Sequence, residues 1–117
     1  IATTSDGDRE PKLWGTATGR LRATLIGHRA GVHDILFSPD GRTIATASLD
    51  DTVKLWDAET GELKATLAGH RSTIYQTVFS PDGRTLATAS RDGKARLGVS
   101  PSLFNLKALT YSPVMVT

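Results

Sequence analysis

The sequence predicts an all-β fold built from repeated four-stranded antiparallel sheets. A unit of 42 residues occurs almost twice. Residues 27–51 and 69–93 are identical at 15 of 25 positions without a gap. Within the unit, short runs with strand character are separated by clusters of turn residues. A repeat of this length is typical of one supersecondary unit that buries its faces against its neighbours.

The complete copy of the unit contains four predicted strands. Each is a run of β-branched, small, aromatic or alternating apolar residues, and the four runs are 32–37, 43–48, 52–56 and 62–67. The first run ends at Ser38-Pro39-Asp40-Gly41, where proline presets a turn and glycine accepts a positive φ. Because all connections are short, neighbouring strands are expected to pair in order as an antiparallel meander.

The composition argues against a membrane span, a nucleic-acid surface and cysteine chemistry. No apolar run approaches the roughly 18 residues that a membrane helix needs. The net charge is only +2, and the basic residues are scattered over both repeats. With no cysteine there is no disulfide framework and no thiolate metal site. We therefore expect no nucleic-acid or membrane partner, and the composition is consistent with a cytoplasmic protein.

Several recurring signatures resemble the WD-repeat (Trp-Asp repeat) family of β-propellers. They are Gly27-His28, the Ser-Pro-Asp-Gly turn, residues 46–50 and Leu55-Trp56-Asp57, and the resemblance covers residues 1–97. It implies a partial β-propeller of four-stranded antiparallel blades, with the innermost strand after Gly-His. About four to eight blades are typical of a closed ring. The implied two and a half blades form an incomplete ring, either open or closed by oligomerisation.

The resemblance divides the chain into a partial first blade of three strands, a complete central blade, a third blade that is degenerate at its end, and a non-repeat tail. These segments are 1–25, 26–67, 68–99 and 100–117. The tail is expected to be either the outer strand of the third blade, with 106–109 as the nearest match, or disordered. Because the sequence starts at Ile1 and its only methionine is Met115, we expect a segment of a larger protein.

The first and third units each depart from the pattern at one central-strand position. Pro11 stands where the complete unit has Val53, and a proline inside a central strand removes a hydrogen bond of the ladder. Gly98 stands where the complete unit has Trp56. We therefore expect the first and third blades to be less regular than the central one.

The family's blades often contain a buried hydrogen-bonded set of His, Ser or Thr, Asp and Trp. The matching positions in the central blade are His28, Thr46, Asp50 and Trp56, with Ser48 as the alternative hydroxyl. In the third blade they are His70, Thr88 and Asp92, without the tryptophan. A buried imidazole, hydroxyl and indole N–H each need a partner, and such a set provides them. Because the His-Asp combination recurs, we interpret it as structural rather than catalytic or metal-binding.

The resemblance also implies that partner contacts come mainly from one rim of the propeller. The matching positions are Gly31, His33 and Leu49 in the central blade and Thr73, Tyr75 and Arg91 in the next. The two units differ at all of them, as expected for surface positions that are free to vary, whether by partner choice or by drift. Tyrosine and arginine are enriched in interface hot spots, so Tyr75 and Arg91 are the strongest candidates.

The function predicted from the sequence is a non-enzymatic scaffold that binds a protein or peptide partner. No phosphate-binding loop, paired-carboxylate site or metal-ligand spacing occurs, so no catalytic residue, cofactor or metal is predicted. The alternative is self-association through uncovered sheet faces and strand edges. A remote alternative is a hydrolase that uses His33 or His28 with a nearby aspartate. It is disfavoured because adjacent strand residues such as His33 and Asp34 point to opposite faces.

Overall fold

The computed structural model describes residues 1–4, 7–99 and 110–116, and the side chains of 1–4 and 7–98. In this part of the chain eleven β-strands form three antiparallel sheets, and there is no helix. The same residues therefore contain no helix that is long and apolar enough to cross a membrane. The all-β class predicted from the repeat is confirmed.

Neighbouring strands pair in chain order within each sheet. The first sheet contains β1 (Ala2–Thr3), β2 (Lys12–Trp14) and β3 (Leu21–Thr24). The central sheet contains β4 (Val32–Phe37), β5 (Thr43–Ser48), β6 (Thr52–Asp57) and β7 (Leu63–Ala68). The third sheet contains β8 (Ile74–Phe79), β9 (Thr85–Ser90), β10 (Ala95–Val99) and β11 (Thr110–Val116). Every pair is antiparallel, as predicted for a meander.

The turn after β4 shows why its sequence ends the strand. The Ser38 hydroxyl donates to Asp40 Oδ1 over 2.6 Å, and the same oxygen accepts the backbone N–H of Arg42 at 3.0 Å. Gly41 has a φ of 73°, which a residue with a side chain adopts only with strain. The second copy of the turn, after β8, repeats these contacts with Ser80, Asp82 and Arg84.

The central sheet is covered on both sides by its neighbours. We call the face that carries Ile44 and Trp56 its trailing face, and that face packs against Leu13 and Leu25 of the first unit. The opposite face, which we call the leading face, packs against Ile74 and Leu86 of the third sheet. The buried residues on this leading side are Ala45, Ala47, Val53, Leu55 and Leu67. Two cores therefore join three sheets in chain order.

Two strands of nearly identical sequence differ in burial, and this difference shows which sheet face is uncovered. The strand β5 reads Thr-Ile-Ala-Thr-Ala-Ser, and all six of its residues are buried. The strand β9 differs from it only by Leu86 in place of Ile44, yet its residues alternate between half-buried and buried. Because side chains alternate between faces of a strand, only one face of β9 is fully covered. In the described residues, the leading face of the third sheet is thus partly open.

The two departures from the repeat have different structural outcomes. The sequence predicts Pro11 inside a strand, but Pro11 lies immediately before β2. A β-ladder tolerates proline at this position. The Pro11 carbonyl accepts the Leu25 N–H over 2.8 Å, but β2 has only three residues. Gly98 pairs with Leu86 just as Trp56 pairs with Ile44. The strand β11 completes the third sheet beside β10, whereas residues 106–109 lie outside the described residues.

Candidate functional site

Four side chains of the central sheet form a connected polar set. His28 Nδ1 lies 2.8 Å from Asp50 Oδ2, and His28 Nε2 lies 2.6 Å from Thr46 Oγ1. The Trp56 indole N–H donates to the same Thr46 oxygen over 2.8 Å. Because a carboxylate only accepts, Nδ1 carries the imidazole proton, and Nε2 accepts the Thr46 hydroxyl proton. We call this set the relay. Each of its donors then faces an acceptor, and each of its acceptors faces a donor.

The Ser48 hydroxyl belongs to a different contact. It donates to the carbonyl of Ala30 over 2.9 Å and accepts the backbone N–H of Asp50 at 3.0 Å. The sequence offers Thr46 and Ser48 as alternatives for the hydroxyl of this set. It is Thr46 that lies between the imidazole and the indole. Ser48 instead shapes the loop that carries the carboxylate.

Electrostatics keeps the imidazole neutral and the carboxylate ionised. Burial lowers the pKa of His28 below its ordinary value of 6.5 and outweighs the opposite effect of Asp50. Burial alone would raise the pKa of Asp50, but hydrogen bonds from Thr52, the Arg29 N–H and His28 outweigh it and lower that pKa to about 2. The pair is thus arranged as a hydrogen bond between a neutral ring and an anion.

The third sheet contains the same set without its indole. His70 Nδ1 lies 2.8 Å from Asp92 Oδ2, and His70 Nε2 lies 2.8 Å from Thr88 Oγ1. Hydrogen bonds from the Arg71 N–H and His70 overcome burial and lower the pKa of Asp92 to about 2. The position that would hold the indole is Gly98.

The first sheet contributes a contact that the sequence did not indicate. The Trp14 indole N–H donates to Thr3 Oγ1 over 2.8 Å, the same distance as between Trp56 and Thr46. The strand register agrees, since Thr3 pairs with Lys12 as Thr46 pairs with Lys54. An insertion of one residue between Thr3 and Trp14 hides the equivalence. Aligning the tryptophans first and then allowing one gap would have found it.

A β-bulge places one exposed side chain on each of two inner strands. The pairing of β4 with β5 shifts between Val32 and Asp34, so that His33 is the extra residue. The pairing of β8 with β9 shifts in the same way between Ile74 and Gln76, at Tyr75. Both side chains are exposed, and that of Tyr75 is 57% accessible. Such bulges are known to redirect a side chain near functional sites.

Two more exposed side chains stand beside the bulges. The backbone N–H of Leu49 donates to the Gly31 carbonyl over 2.8 Å, and that of Arg91 donates to the Thr73 carbonyl over 2.9 Å. These bonds close the end of each hairpin next to its bulge. Leu49 is 52% exposed and Arg91 is exposed. We call His33, Leu49, Tyr75 and Arg91 the rim.

Comparison with protein families agrees with the repeat and with the sheets. The family model described as WD domain, G-beta repeat matches residues 19–57 and 61–97, which together are more than half of the chain. The chain belongs to the WD-repeat family. Its sheets are therefore blades, and the relay of His28, Thr46 and Trp56 belongs to a WD-repeat blade.

Curated relatives of this WD-repeat chain match it over less than half of its length. A bromodomain and WD repeat-containing protein of Dictyostelium discoideum is 42% identical over 50 residues, which are 43% of this chain and 2% of the relative. Nuclear distribution protein PAC1 of Arthroderma benhamiae is 36% identical over 52 residues, 44% of this chain and 11% of that protein. PAC1 of Trichophyton verrucosum gives the same values. The match thus spans only a small part of each relative.

Two of the predicted rim positions of the WD blades are less exposed than the other four. Gly31 is buried, and a Cβ added there would lie 3.1 Å from the Cα of Gly7 in the first blade. Thr73 is half-buried. The backbone of both residues instead accepts the hairpin-closing hydrogen bonds. We therefore leave Gly31 and Thr73 out of the rim.

Two of the groups considered for hydrolysis, His28 and Asp34, are engaged in other contacts. The side chain of His28 has no accessible surface, so a substrate cannot reach it. Asp34 does not face His33, because its Oδ2 accepts two hydrogen bonds from Thr77 of the next blade. The described residues also contain no group of three or more His, Asp or Glu side chains that could hold a metal ion.

Proposed function

We propose that this WD-repeat chain is a non-enzymatic platform on which the rim binds a protein or peptide partner. The observation that carries the proposal is the matched pair of bulges, which expose His33 and Tyr75 at equivalent places on adjacent inner strands. The two bulges have the same strand pairing but carry different side chains. A recognition surface built on a common scaffold requires this combination.

Rigidity beneath the rim supports this proposal. The loop that carries Leu49 is held by Asp50, which accepts hydrogen bonds from His28, the Arg29 N–H and Thr52. A rim on such a support loses little conformational freedom when a partner binds, and this loss is a main cost of association. The buried polar relay therefore contributes to recognition indirectly, by fixing the loop.

The chemistry of the rim supports a protein or peptide as partner. Tyr75 offers a large amphipathic ring, Arg91 offers planar donors, and Leu49 adds apolar area. None of the four rim side chains is a carboxylate. We infer that the partner presents an apolar or aromatic group together with a hydrogen-bond acceptor for Arg91.

The test is the affinity of partners captured with the immobilised wild-type chain. Each captured partner is measured by biolayer interferometry against wild type, the Y75A/R91A double variant and R42A. Arg42 is an exposed arginine beside the Ser-Pro-Asp-Gly turn, outside the rim, and serves as the matched control. Loss of two hot-spot residues is expected to weaken binding by about 30-fold or more. If Y75A/R91A bound every partner with unchanged affinity, the rim would not be the binding surface.

Self-association is the second candidate function, and one observation favours it. The leading face of the third blade carries the same residue types that are fully buried in the central blade, yet it is only partly covered. Partly exposed apolar sheet faces promote association. We propose that this face contacts another protein surface. This proposal is tested separately from the rim, because the two surfaces share no residue.

A further inference from the structure

A basic cavity lies in the third blade, next to the turn between β9 and β10. Its volume is about 360 Å³, and it is lined by Arg71, Asp92, Lys94 and Arg96. This volume is within the range of sites that bind small ligands. Three of the lining side chains are basic and one is a carboxylate, so positive charges exceed negative ones by two. A cavity with this balance of charge attracts an anion.

The carboxylate of Asp92 holds the backbone beneath two of the basic side chains. Its Oδ2 accepts the backbone N–H of Arg71 at 3.0 Å, and its Oδ1 accepts that of Lys94 at 2.8 Å. Its Oδ2 also lies 2.8 Å from His70 Nδ1, so donors of three residues surround this carboxylate. The backbone of Arg71 and Lys94 is therefore fixed before a ligand arrives, which lowers the entropic cost of binding.

The third basic residue belongs to the strand beside the same polar set. Arg96 pairs with Thr88 across β9 and β10, and Thr88 Oγ1 lies 2.8 Å from His70 Nε2. Arg96 is half-buried and its Nε is buried, whereas Arg71 and Lys94 are exposed. A charge with limited access to water attracts an anion more strongly than a fully hydrated one. Arg96 therefore provides the least hydrated positive charge of the lining.

The central blade has the same backbone hydrogen bonds at the equivalent place. Asp50 accepts the backbone N–H groups of Arg29 and Thr52 over 3.0 and 2.9 Å. The turn has a positive φ in both blades, 70° at Asp51 and 80° at Gly93. The two turns therefore present different side chains on nearly the same backbone.

The differences between the two turns increase positive charge in the third blade. Gly93 stands where the central blade has the carboxylate of Asp51, and Lys94 stands where it has the neutral Thr52. The positions of Arg71 and Arg96 are basic in both blades. The central set thus has two basic and two acidic side chains, whereas the third has three basic and one acidic. Of these two sets, only that of the third blade has excess positive charge.

The missing tryptophan leaves space beside the basic residues. In the central blade a Cβ added at Gly27 would lie 3.3 Å from Cη2 of Trp56 and 3.7 Å from Cδ of Lys54. The indole and the lysine stem therefore lie side by side against this glycine. On β10 the position of the tryptophan is Gly98 and that of the lysine is Arg96. Because glycine contributes no side chain, the space beside Arg96 is not filled from this position.

We propose that this cavity binds a phosphate-class oxyanion, either free phosphate or the phosphate group of a larger ligand. The excess of two positive charges matches the charge of about −1.5 to −2 that a phosphate monoester carries at pH 7. Guanidinium and ammonium groups donate the strong charge-assisted hydrogen bonds that such oxygens accept. The lining contains none of the four rim side chains, so this inference goes beyond the function proposed above.

The first experiment titrates the full chain with inorganic phosphate and follows backbone amide signals by NMR at pH 7.5 and constant ionic strength. The signals of Arg71, Lys94 and Arg96 are expected to shift in a saturable way, with a dissociation constant of about 1 mM. Acetate carries a single charge and is expected to bind at least about tenfold more weakly. If the three signals do not shift, or shift equally with acetate, the proposal is wrong.

The second experiment uses the central blade as a matched reference. G93D/K94T gives the third blade the two residues of the central turn and is expected to weaken phosphate binding by about 30-fold or more. R71A removes one charge-assisted contact and is expected to weaken it about tenfold. R29A removes the equivalent arginine of the central blade and is expected to bind phosphate as wild type does.

Two results of this second experiment would overturn the proposal. One is wild-type affinity in R71A, and the other is a loss in R29A that equals the loss in R71A. The amide spectrum of each variant reports its folding. If G93D/K94T does not fold, R71A and R29A still decide between the outcomes.

Two further measurements identify the source of the anion and separate the cavity from the rim. O-phosphoserine that binds at least as tightly as inorganic phosphate indicates a phosphorylated ligand, whereas weaker binding indicates a free anion. Y75A/R91A is expected to bind phosphate within about twofold of wild type, because solvent screens charges outside the cavity. Loss of phosphate binding in Y75A/R91A but not in R71A would mean that the rim holds the anion, and would reject the cavity.

Discussion

Thr77 donates both its backbone N–H and its hydroxyl to one oxygen of Asp34, over 3.2 and 3.1 Å. The contact joins β8 of the third blade to β4 of the central blade at their inner strands. Thr77 is only 7% exposed, so its N–H and hydroxyl have little access to water. Asp34 therefore connects two blades by polar bonds beside the apolar core formed by the leading face.

The first prediction concerns this connection. Asp34→Ala leaves the buried donors of Thr77 without their acceptor and is expected to lower the free energy of unfolding by about 1–3 kcal/mol. Asp34→Asn keeps one acceptor oxygen of the same shape and is expected to cost less. Urea unfolding followed by circular dichroism measures both variants. Equal losses in the two variants would show that the hydrogen bonds contribute nothing beyond packing of the side chain.

The strands of the central blade were predictable because local chemistry determines them. The runs 32–37 and 43–48 agree with β4 and β5 at both ends, since each begins and ends at a turn with its own residue signals. For the same reason the fold class could be predicted without knowledge of any contact between blades.

Contacts between blades were not predictable, because they depend on which side chains meet across a stack. The residue equivalent to Asp34 in the next unit is Gln76, so the bond to Thr77 has no counterpart in the repeat pattern. Burial of Gly31 likewise depends on the backbone of Gly7 in another blade. The bulges at His33 and Tyr75 add one residue to a strand without any turn signal in the sequence.

The second prediction compares the two tryptophans. Trp56→Phe removes the N–H that reaches Thr46 and leaves space around a side chain that is 1% exposed, and we expect a loss of about 2 kcal/mol. Trp14→Phe removes the equivalent bond to Thr3 from a half-buried ring and is expected to cost less than half as much. Urea unfolding followed by circular dichroism at two protein concentrations measures both variants and detects any contribution from self-association. Equal losses would contradict the difference in burial.

The third prediction uses two glycines with nearly the same backbone conformation. Gly61 and Gly41 have φ values of 77° and 73°. A Cβ at Gly61 would lie 2.5 Å from the Cβ of Ala23, whereas one at Gly41 meets nothing within 4 Å. We expect Gly41→Ala to cost about 1 kcal/mol through backbone strain alone. Gly61→Ala is expected to cost at least twice as much, because its Cβ also collides with the first blade.

A double-mutant cycle isolates that collision. Ala23→Gly removes the Cβ that Gly61→Ala would strike, so the double variant is expected to recover most of the extra loss. The coupling free energy is expected to fall within about 0.5–3 kcal/mol, the usual range for residues in contact. Thermal and urea unfolding of the four proteins of the cycle provide the measurement. Additive effects of the two substitutions would indicate that the blades separate locally to accommodate the new side chain.

The last prediction concerns pH. Burial holds the pKa of His28 below its ordinary value of 6.5, so the unfolded chain binds a proton at this site more readily than the folded one. The stability that this histidine contributes is therefore complete above about pH 6.5 and decreases as the pH falls below that value. Asp50 acts at lower pH, because hydrogen bonds lower its pKa from 3.8 to about 2 despite its burial. Its contribution is complete above about pH 4 and decreases as the pH falls toward 2.

Stability measured from pH 8 to pH 2 is thus expected to decline in two steps, and two variants assign them. His28→Gln removes the imidazole and is expected to flatten the upper step, while Asp50→Asn flattens the lower one. Asp92 shares the low pKa of about 2, so part of the lower step is expected to remain in Asp50→Asn. His33→Gln changes an exposed histidine and is the matched control for His28→Gln. An upper step that persists in His28→Gln would mean that another group causes it.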